Sequence, residues 1–198
     1  MLKDEYVFEQ APSQQDIKDI AEIHRKFFGC DLSGQLGVDF LQDYYQEIRS
    51  SPEGIIVICK DQGKVIGVIS GLASKSDFLV KIAAANLGPI LIQIIAHPLS
   101  FLRFIKRAIV LKEGEFEAEL MSLAVLEEYQ GKGIASQLLS RMEDFFKAKT
   151  VKKYKVFTDL KYASGLKFYE KSGFKLHQQA DLFGTQVRLY SKNLMSST

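Results

Sequence analysis

At 198 residues, 46% of them hydrophobic and 25% charged, the chain has the length of one domain of ordinary size and the balance of a soluble globular protein. Its net charge of +2, with lysines and arginines interleaved with acids along most of its length, leaves no long basic tract to follow phosphates and speaks against nucleic acid as a partner. Two cysteines, Cys30 and Cys59, have neither C-x-x-C spacing nor a histidine cluster beside them, which supports neither a zinc site nor a disulfide framework; both read as reduced core residues.

The first ten residues, "MLKDEYVFEQ", lack the apolar stretch of a secretory signal, so the cytoplasm is the expected location. Residues Glu5–Glu9 alternate as a short strand, and Pro12-Ser13 introduces "QQDIKDIAEIHRKFF", in which Ile17, Ile20, Ala21, Ile23, His24, Phe27 and Phe28 recur at helical spacing. Gly29 and Gly34 loosen the chain before a second helix, "VDFLQDYYQEIRSS", which Pro52 and Gly54 end. Two β-branched runs around Asp61-Gln62-Gly63 predict a hairpin, "GIIVICKDQGKVIGVISGLAS". From Glu115 a strand runs to Val125, a helix from about Gly133 to Lys149, a strand over "YKVFTDL", a short helix ending at Gly173, and a final hairpin through Phe183-Gly184-Thr185. Strands alternating with helices after a meander predict a mixed sheet flanked by helices.

Between these halves lies an apolar insertion, Lys75–Lys112, with no charged residue from Ile82 to Leu102. Gly88-Pro89 and His97-Pro98 break it twice, which argues against one regular membrane span. Two readings stay open: helices packed over the sheet or against a second subunit, and peripheral membrane contact through "SFLRFIKRAIVLK". There Phe101, Phe104, Ile105, Ala108 and Ile109 gather near one face, with Arg103, Lys106 and Arg107 around it.

The stretch "EYQGKGIAS" places two glycines where a strand gives way to a helix. Such a turn suits an anion, because first-turn N–H groups are unpaired, the helix dipole favours negative charge, and glycine lets backbone come close. It is neither the G-x-x-x-x-G-K-[ST] loop nor the dinucleotide fingerprint, whose third small residue would fall on Ser136.

These surroundings resemble the GNAT superfamily of acyl-CoA-dependent N-acetyltransferases. The family pattern Gln/Arg-x-x-Gly-x-Gly/Ala is met by Gln130, Gly133 and Ala135, with a further glycine at Gly131. "AELMSLAVLEEYQ" is similar to the family's central strand and its bulged end, and "LKFYEKSGFK" to its second signature. The resemblance spans roughly Glu115 to the C-terminus, and the upstream order β-α-α-β-β agrees with it. It implies an α/β (α+β) fold in a single domain: a mixed, mostly antiparallel sheet with flanking helices, splayed central strands and the helical insertion at about 75–112.

The resemblance also implies roles. Backbone N–H groups of Gln130, Gly131, Lys132, Gly133, Ile134 and Ala135, with Ser136 beside them, would take the pyrophosphate of coenzyme A. Main chain at Leu123, Ala124 and Val125 would meet the pantetheine arm, the Val125 N–H lying near the thioester oxygen. Lys132 would add an exposed charge near phosphate. Ser164 and Phe168 fall on the second signature, Ser164 as a hydroxyl for the cofactor or as a helix cap. Tyr169 matches the tyrosine that protonates the departing thiolate, and a core tyrosine is its alternative. Glu117 and Glu119, read as sharing a strand face with Met121 and Leu123, are the candidates for the base that frees the amine, or polar residues at a strand's entrance. Where the second signature often has Asn and Ala, this chain has Tyr162 and Gly165.

The expected activity is acetyl transfer from acetyl-CoA to a primary amine by direct attack, without a metal. The acceptor would be an amino sugar, a small amine or a peptide, held by the first two helices and the insertion. The alternative is a non-catalytic acyl-CoA-binding or membrane-peripheral module, and a homodimer is compatible with the apolar insertion and the C-terminal strand. His24, His97 and His177 have no partner that the sequence identifies.

Overall fold

The computed structural model describes residues 6–29, 32–74, 77–110 and 116–194. Glu5, Cys30, Lys75, Lys112 and Glu115, and the side chains of Ala108 and Ile109, lie outside the described residues.

Strand β1 (Val7–Gln10) leads to helix α1 (Gln14–Phe28), the one-turn α2 (Leu32–Gln35) and α3 (Val38–Ser50). Ser13 and Asp16 form a reciprocal capping box at the start of α1, the Asp16 N–H donating to Ser13 Oγ and the Ser13 N–H to Asp16 Oδ2. The buried face of α1 carries Ile17, Ile20, Ala21 and His24, and that of α3 carries Phe40, Leu41, Tyr44, Tyr45 and Ile48, the helical spacings expected. Strands β2 (Gly54–Asp61) and β3 (Lys64–Leu72) follow. Their connection is a two-residue turn with Gln62 at φ 49° and Gly63 at φ 80°, tighter than the three-residue turn the sequence suggested.

The insertion is three helices, α4 (Phe78–Ala85), α5 (Leu87–Ala96) and α6 (Pro98–Val110). None is long and apolar enough to cross a membrane, and α4 and α5 meet at 85°. Helix α4 packs on α3, with Phe78 edge-on to Tyr44 at 5.3 Å. Helix α6 reaches the last strands through Arg103, whose guanidinium donates to Leu182 O and Phe183 O.

The second half runs β4 (Ala118–Val125), α7 (Ile134–Ala148), β5 (Lys153–Asp159), α8 (Ala163–Lys171), β6 (Lys175–Leu182) and β7 (Thr185–Asn193). Seven strands form one sheet in the order β1-β2-β3-β4-β5-β7-β6, antiparallel except where β4 meets β5. Helices α7 and α8 cover one face; α1, α3 and α6 cover the other. Gly71 is why α7 lies so close: a Cβ there would stand 2.8 Å from Met142 Sδ and 2.9 Å from Phe146 Cζ, both residues fully buried in α7.

Candidate active site

The parallel pairing of β4 with β5 lasts three rungs, Ala118 with Tyr154, Glu119 with Lys155 and Leu120 with Val156, and then stops. Beyond it Ser122–Val125 and Phe157–Asp159 stay paired only to their outer neighbours, so a cleft opens at the centre of the sheet. This is the splay that the resemblance implied.

Strand β4 also carries a bulge. Ser70 faces Ser122 and the next residue, Gly71, faces Leu120, so two residues of β3 span three of β4 and Met121 is the extra one. The bulge resets the alternation. Leu120, Leu123 and Val125 share the α7 face, while Glu119 and Ser122 share the face of α1 and α3; Glu119 is therefore not on the face of Leu123, as simple alternation suggested.

The Leu126 N–H donates to Ile66 O at 2.9 Å. Main-chain groups alternate sides along an antiparallel strand, so Ala124 also turns toward β3 while Leu123 and Val125 turn to the edge that β5 has left. The Val125 carbonyl accepts the Gln130 side-chain amide at 2.9 Å, leaving the Leu123 groups and the Val125 N–H along the cleft.

At the end of β4 a 3-10 turn, Glu127–Tyr129, leads into the glycine loop. Gly131 has φ 74°, and a Cβ there would meet no protein atom within 4 Å, so it is the left-handed backbone that requires glycine, with open space in front of it. Gly133 is the N-cap of α7 at φ 83°, and no side chain caps the helix. The N–H groups of Ile134, Ala135 and Ser136 thus begin an uncapped helix beside the cleft, a cradle fitted to an anion such as a pyrophosphate. Ile134 is itself a core residue, 1% exposed, and lies over Gly67, where a Cβ would stand 3.3 Å from its Cγ2. Two loop residues do other work. The Gln130 N–H donates to Glu127 O, so Gln130 shapes the loop with both its groups. Lys132 folds back, its ammonium on Glu128 O at 2.8 Å and over the Tyr129 ring at 4.7 Å.

Tyr169 is 7% exposed, ringed by Phe168 at 5.7 Å, Phe174 at 5.3 Å and Tyr190 at 6.2 Å. Tyr190 faces Val156, and Val156 faces Leu120 in the last rung before the cleft. Tyr169 therefore lies on the α7 face at the point of divergence, and burial pushes its phenol pKa well up.

Glu119 lies one rung earlier on the opposite face. Its carboxylate is 3.4 Å from the ammonium of Lys155, a lysine with no exposed side-chain area. Glu117 is not on the strand: it is exposed, at a bend before Ala118, because β4 starts at Ala118 and not at Glu115 as the sequence suggested. On the face of Glu119 a buried chain of hydrogen bonds joins His24 Nδ1 to the Tyr45 hydroxyl at 2.8 Å, that hydroxyl to Ser122 Oγ at 2.9 Å, and Ser122 Oγ to Ser70 Oγ at 2.7 Å. Sequence reasoning left His24 without a partner. Tyr45 is seen only as a core residue at helical spacing, and its bond to Ser122 depends on the bulge. Lys155 was missed too; its one signal is a lysine amid the apolar positions of "YKVFTDL".

Ser164 does not cap α8. The N-cap is Tyr162, without a side-chain bond, and Ser164 is an exposed residue of the first turn. The Tyr162 hydroxyl donates to Phe27 O at 3.1 Å and its ring meets Phe28 at 5.8 Å, tying the turn after β5 to α1. On α6, Lys106 lies over the Phe183 ring at 4.4 Å and Arg107 over the Phe157 ring at 4.5 Å, so both cations border the sheet. A hollow of about 290 Å³ lined by Lys153, Gly173, Lys175, Ser191 and Asn193 lies at the other end of β5 from the cleft.

The model of the acetyltransferase (GNAT) family matches residues 17–174. No curated protein sequence matches the chain. Among solved structures, the fold is similar to that of yncA from Salmonella typhimurium, solved with its cofactor acetyl-CoA (TM-score 0.66, 15% identity, 98% of this chain and 96% of that one). It is similar to an N-acetyltransferase from Staphylococcus aureus Mu50 (0.65, 17%, 96% and 99%) and to the PaiA N-acetyltransferase of Thermoplasma acidophilum in complex with coenzyme A (0.54, 17%, 94% and 99%). With the family's model matching from within α1 to just past the end of α8, the chain belongs to the GNAT acetyltransferase family.

Proposed function

We propose that this acetyltransferase moves an acetyl group from acetyl-CoA to a primary amine by direct attack within a ternary complex. The observation that carries the reading is the parting of β4 from β5 with Tyr169 on one face of the sheet and Glu119 on the other. Acetyl-CoA, when bound, supplies the acetyl thioester. The first-turn N–H groups of α7 and those of Gly131 to Gly133 would hold its pyrophosphate, and the Leu123 main chain its pantetheine arm, with the Val125 N–H at the thioester oxygen. Ala124, Ser136, Ser164 and Phe168 border that path.

The amine arrives protonated and has no lone pair to offer. Glu119 takes that proton, directly or through a water, with Lys155 beside it as counter-charge. As the new C–N bond forms and the C–S bond breaks, Tyr169 gives its phenolic proton to the sulfur, and the second proton that the nitrogen sheds on becoming an amide passes to water, which restores the phenol; burial keeps the phenol neutral at physiological pH, the form that can donate. Glu117, exposed and off the strand, is the weaker candidate for the base. The acceptor enters from the face of α1, α3 and α6, where Arg107 covers Phe157, and the apolar insertion there favours a bulky or partly apolar amine such as an amino sugar or a peptide.

Mass spectrometry of an amine panel incubated with acetyl-CoA tests this. An N-acetyl product from at least one primary amine is expected. Coenzyme A binding with no acetylated amine from any acceptor would sink the reading in favour of a non-catalytic module.

A further inference from the structure

The insertion leaves uncovered what a soluble surface rarely leaves uncovered. Val80 on α4, Leu91, Ile92 and Ile95 on α5, and Leu99 and Leu102 on α6 are all exposed, Ile92 at 66% and Ile95 at 81%. Large apolar side chains exposed in this number on three consecutive helices mark a contact surface. The charges carried by these three helices have one sign. Among their described residues the charged side chains are Lys81, Arg103, Lys106 and Arg107, all cations; Asp77 stands just before α4, and Glu47 of α3 lies 3.5 Å from Lys81. Arg103 is held by the carbonyl oxygens of Leu182 and Phe183, and Lys106 by the ring of Phe183, contacts that leave their charge in place at the rim.

We infer that α4–α6 is a docking face for an anionic lipid bilayer, lying on it rather than through it. The sign of the rim selects this occupant. A bilayer bearing anionic headgroups complements it, and apolar side chains enter the boundary of the acyl region. A second copy of the chain meeting this face across a two-fold axis would instead set the same four cations against one another, with Asp77 the one acid among the insertion's described residues to answer them. The 85° bend between α4 and α5, and the absence among the described residues of a single helix long and apolar enough to span, suit a surface position. Because α6 also lies over Phe157 beside the cleft, a docked molecule would hold the acceptor side near the lipid surface. The inference stands whether or not the amine reading holds.

Flotation of the full chain with vesicles tests it. One set is phosphatidylcholine alone and the other contains roughly one-third phosphatidylglycerol; binding to the second is expected to exceed binding to the first by at least about tenfold and to weaken with added salt. The Ile92→Glu/Ile95→Glu variant, whose acetyl-CoA binding reports that it folds, is expected to lose at least about tenfold in vesicle binding. No binding to anionic vesicles, or equal binding by the variant, overturns the inference. So does a dimer in sedimentation that the variant splits while neither protein floats, which would assign the face to a second copy.

Discussion

His24 gives the fold a titration that can be worked through. It is 4% exposed, its Nδ1 is 2.8 Å from the Tyr45 hydroxyl, and burial pushes its pKa down from 6.5 to about 4. Since the folded value lies below the unfolded one, the unfolded chain binds the extra proton between them, and stability falls as pH drops through that window. The loss amounts to about 2 kcal/mol at pH 5 and about 3 kcal/mol at pH 4 relative to neutral pH. Urea unfolding at neutral pH and at acid pH measures it, with His24→Gln beside wild type. The variant keeps a side chain able to meet Tyr45 and loses the titration, so its pH dependence over this window should flatten by these amounts. Asp16 does not blur the result: although burial pushes its carboxyl up, the Ser13 hydroxyl and the Lys60 ammonium hold it below its usual value, and its contribution is lost only at lower pH. An unchanged slope in His24→Gln, or an imidazole that titrates near 6.5, would refute the reasoning.

In a coenzyme A titration, Gly133→Val should weaken binding by well over about tenfold, because a β-branched residue resists the φ of 83° at the N-cap, whereas Lys132→Ala should cost only about twofold. Equal tolerance of both would remove the loop from the binding site. Gly71→Ala should destabilise by about 1–3 kcal/mol in thermal or urea melts, since its methyl meets Met142 and Phe146 in a packed interior; no change would mean that α7 can step back from the sheet. Glu119→Gln should lower the amine-dependent rate by about 10²–10⁴ at neutral pH and recover as pH rises and free amine accumulates, with Glu117→Gln near wild type. The reverse order would exchange their roles.

The pattern of elements was legible because the signals are local: helical spacing in "QQDIKDIAEIHRKFF", β-branched runs around Gln62-Gly63, and glycines at Gly131 and Gly133. The splay was legible only through the family resemblance. What escaped depends on contacts between distant segments. The bulge at Met121 is a difference in count between β3 and β4, invisible in either strand alone, and it moved Glu119 to the face of Ser122. Lys155 gains meaning only once the parallel register sets it opposite Glu119. Ser164 looked like a helix cap because serine favours that position, yet the chain enters α8 through Tyr162, which bridges to α1. The basic residues of "SFLRFIKRAIVLK" could be placed around an apolar face, but not assigned to the β6–β7 hairpin that Arg103 and Lys106 contact.

The central claim is that this cleft transfers acetyl groups with Tyr169 as the acid. Thiol release from acetyl-CoA, measured for wild type and Tyr169→Phe with an amine that accelerates it, tests that most directly. The account predicts a fall in kcat of about 10²–10⁴ in the variant, with coenzyme A still bound. An equal rate in both proteins would contradict it.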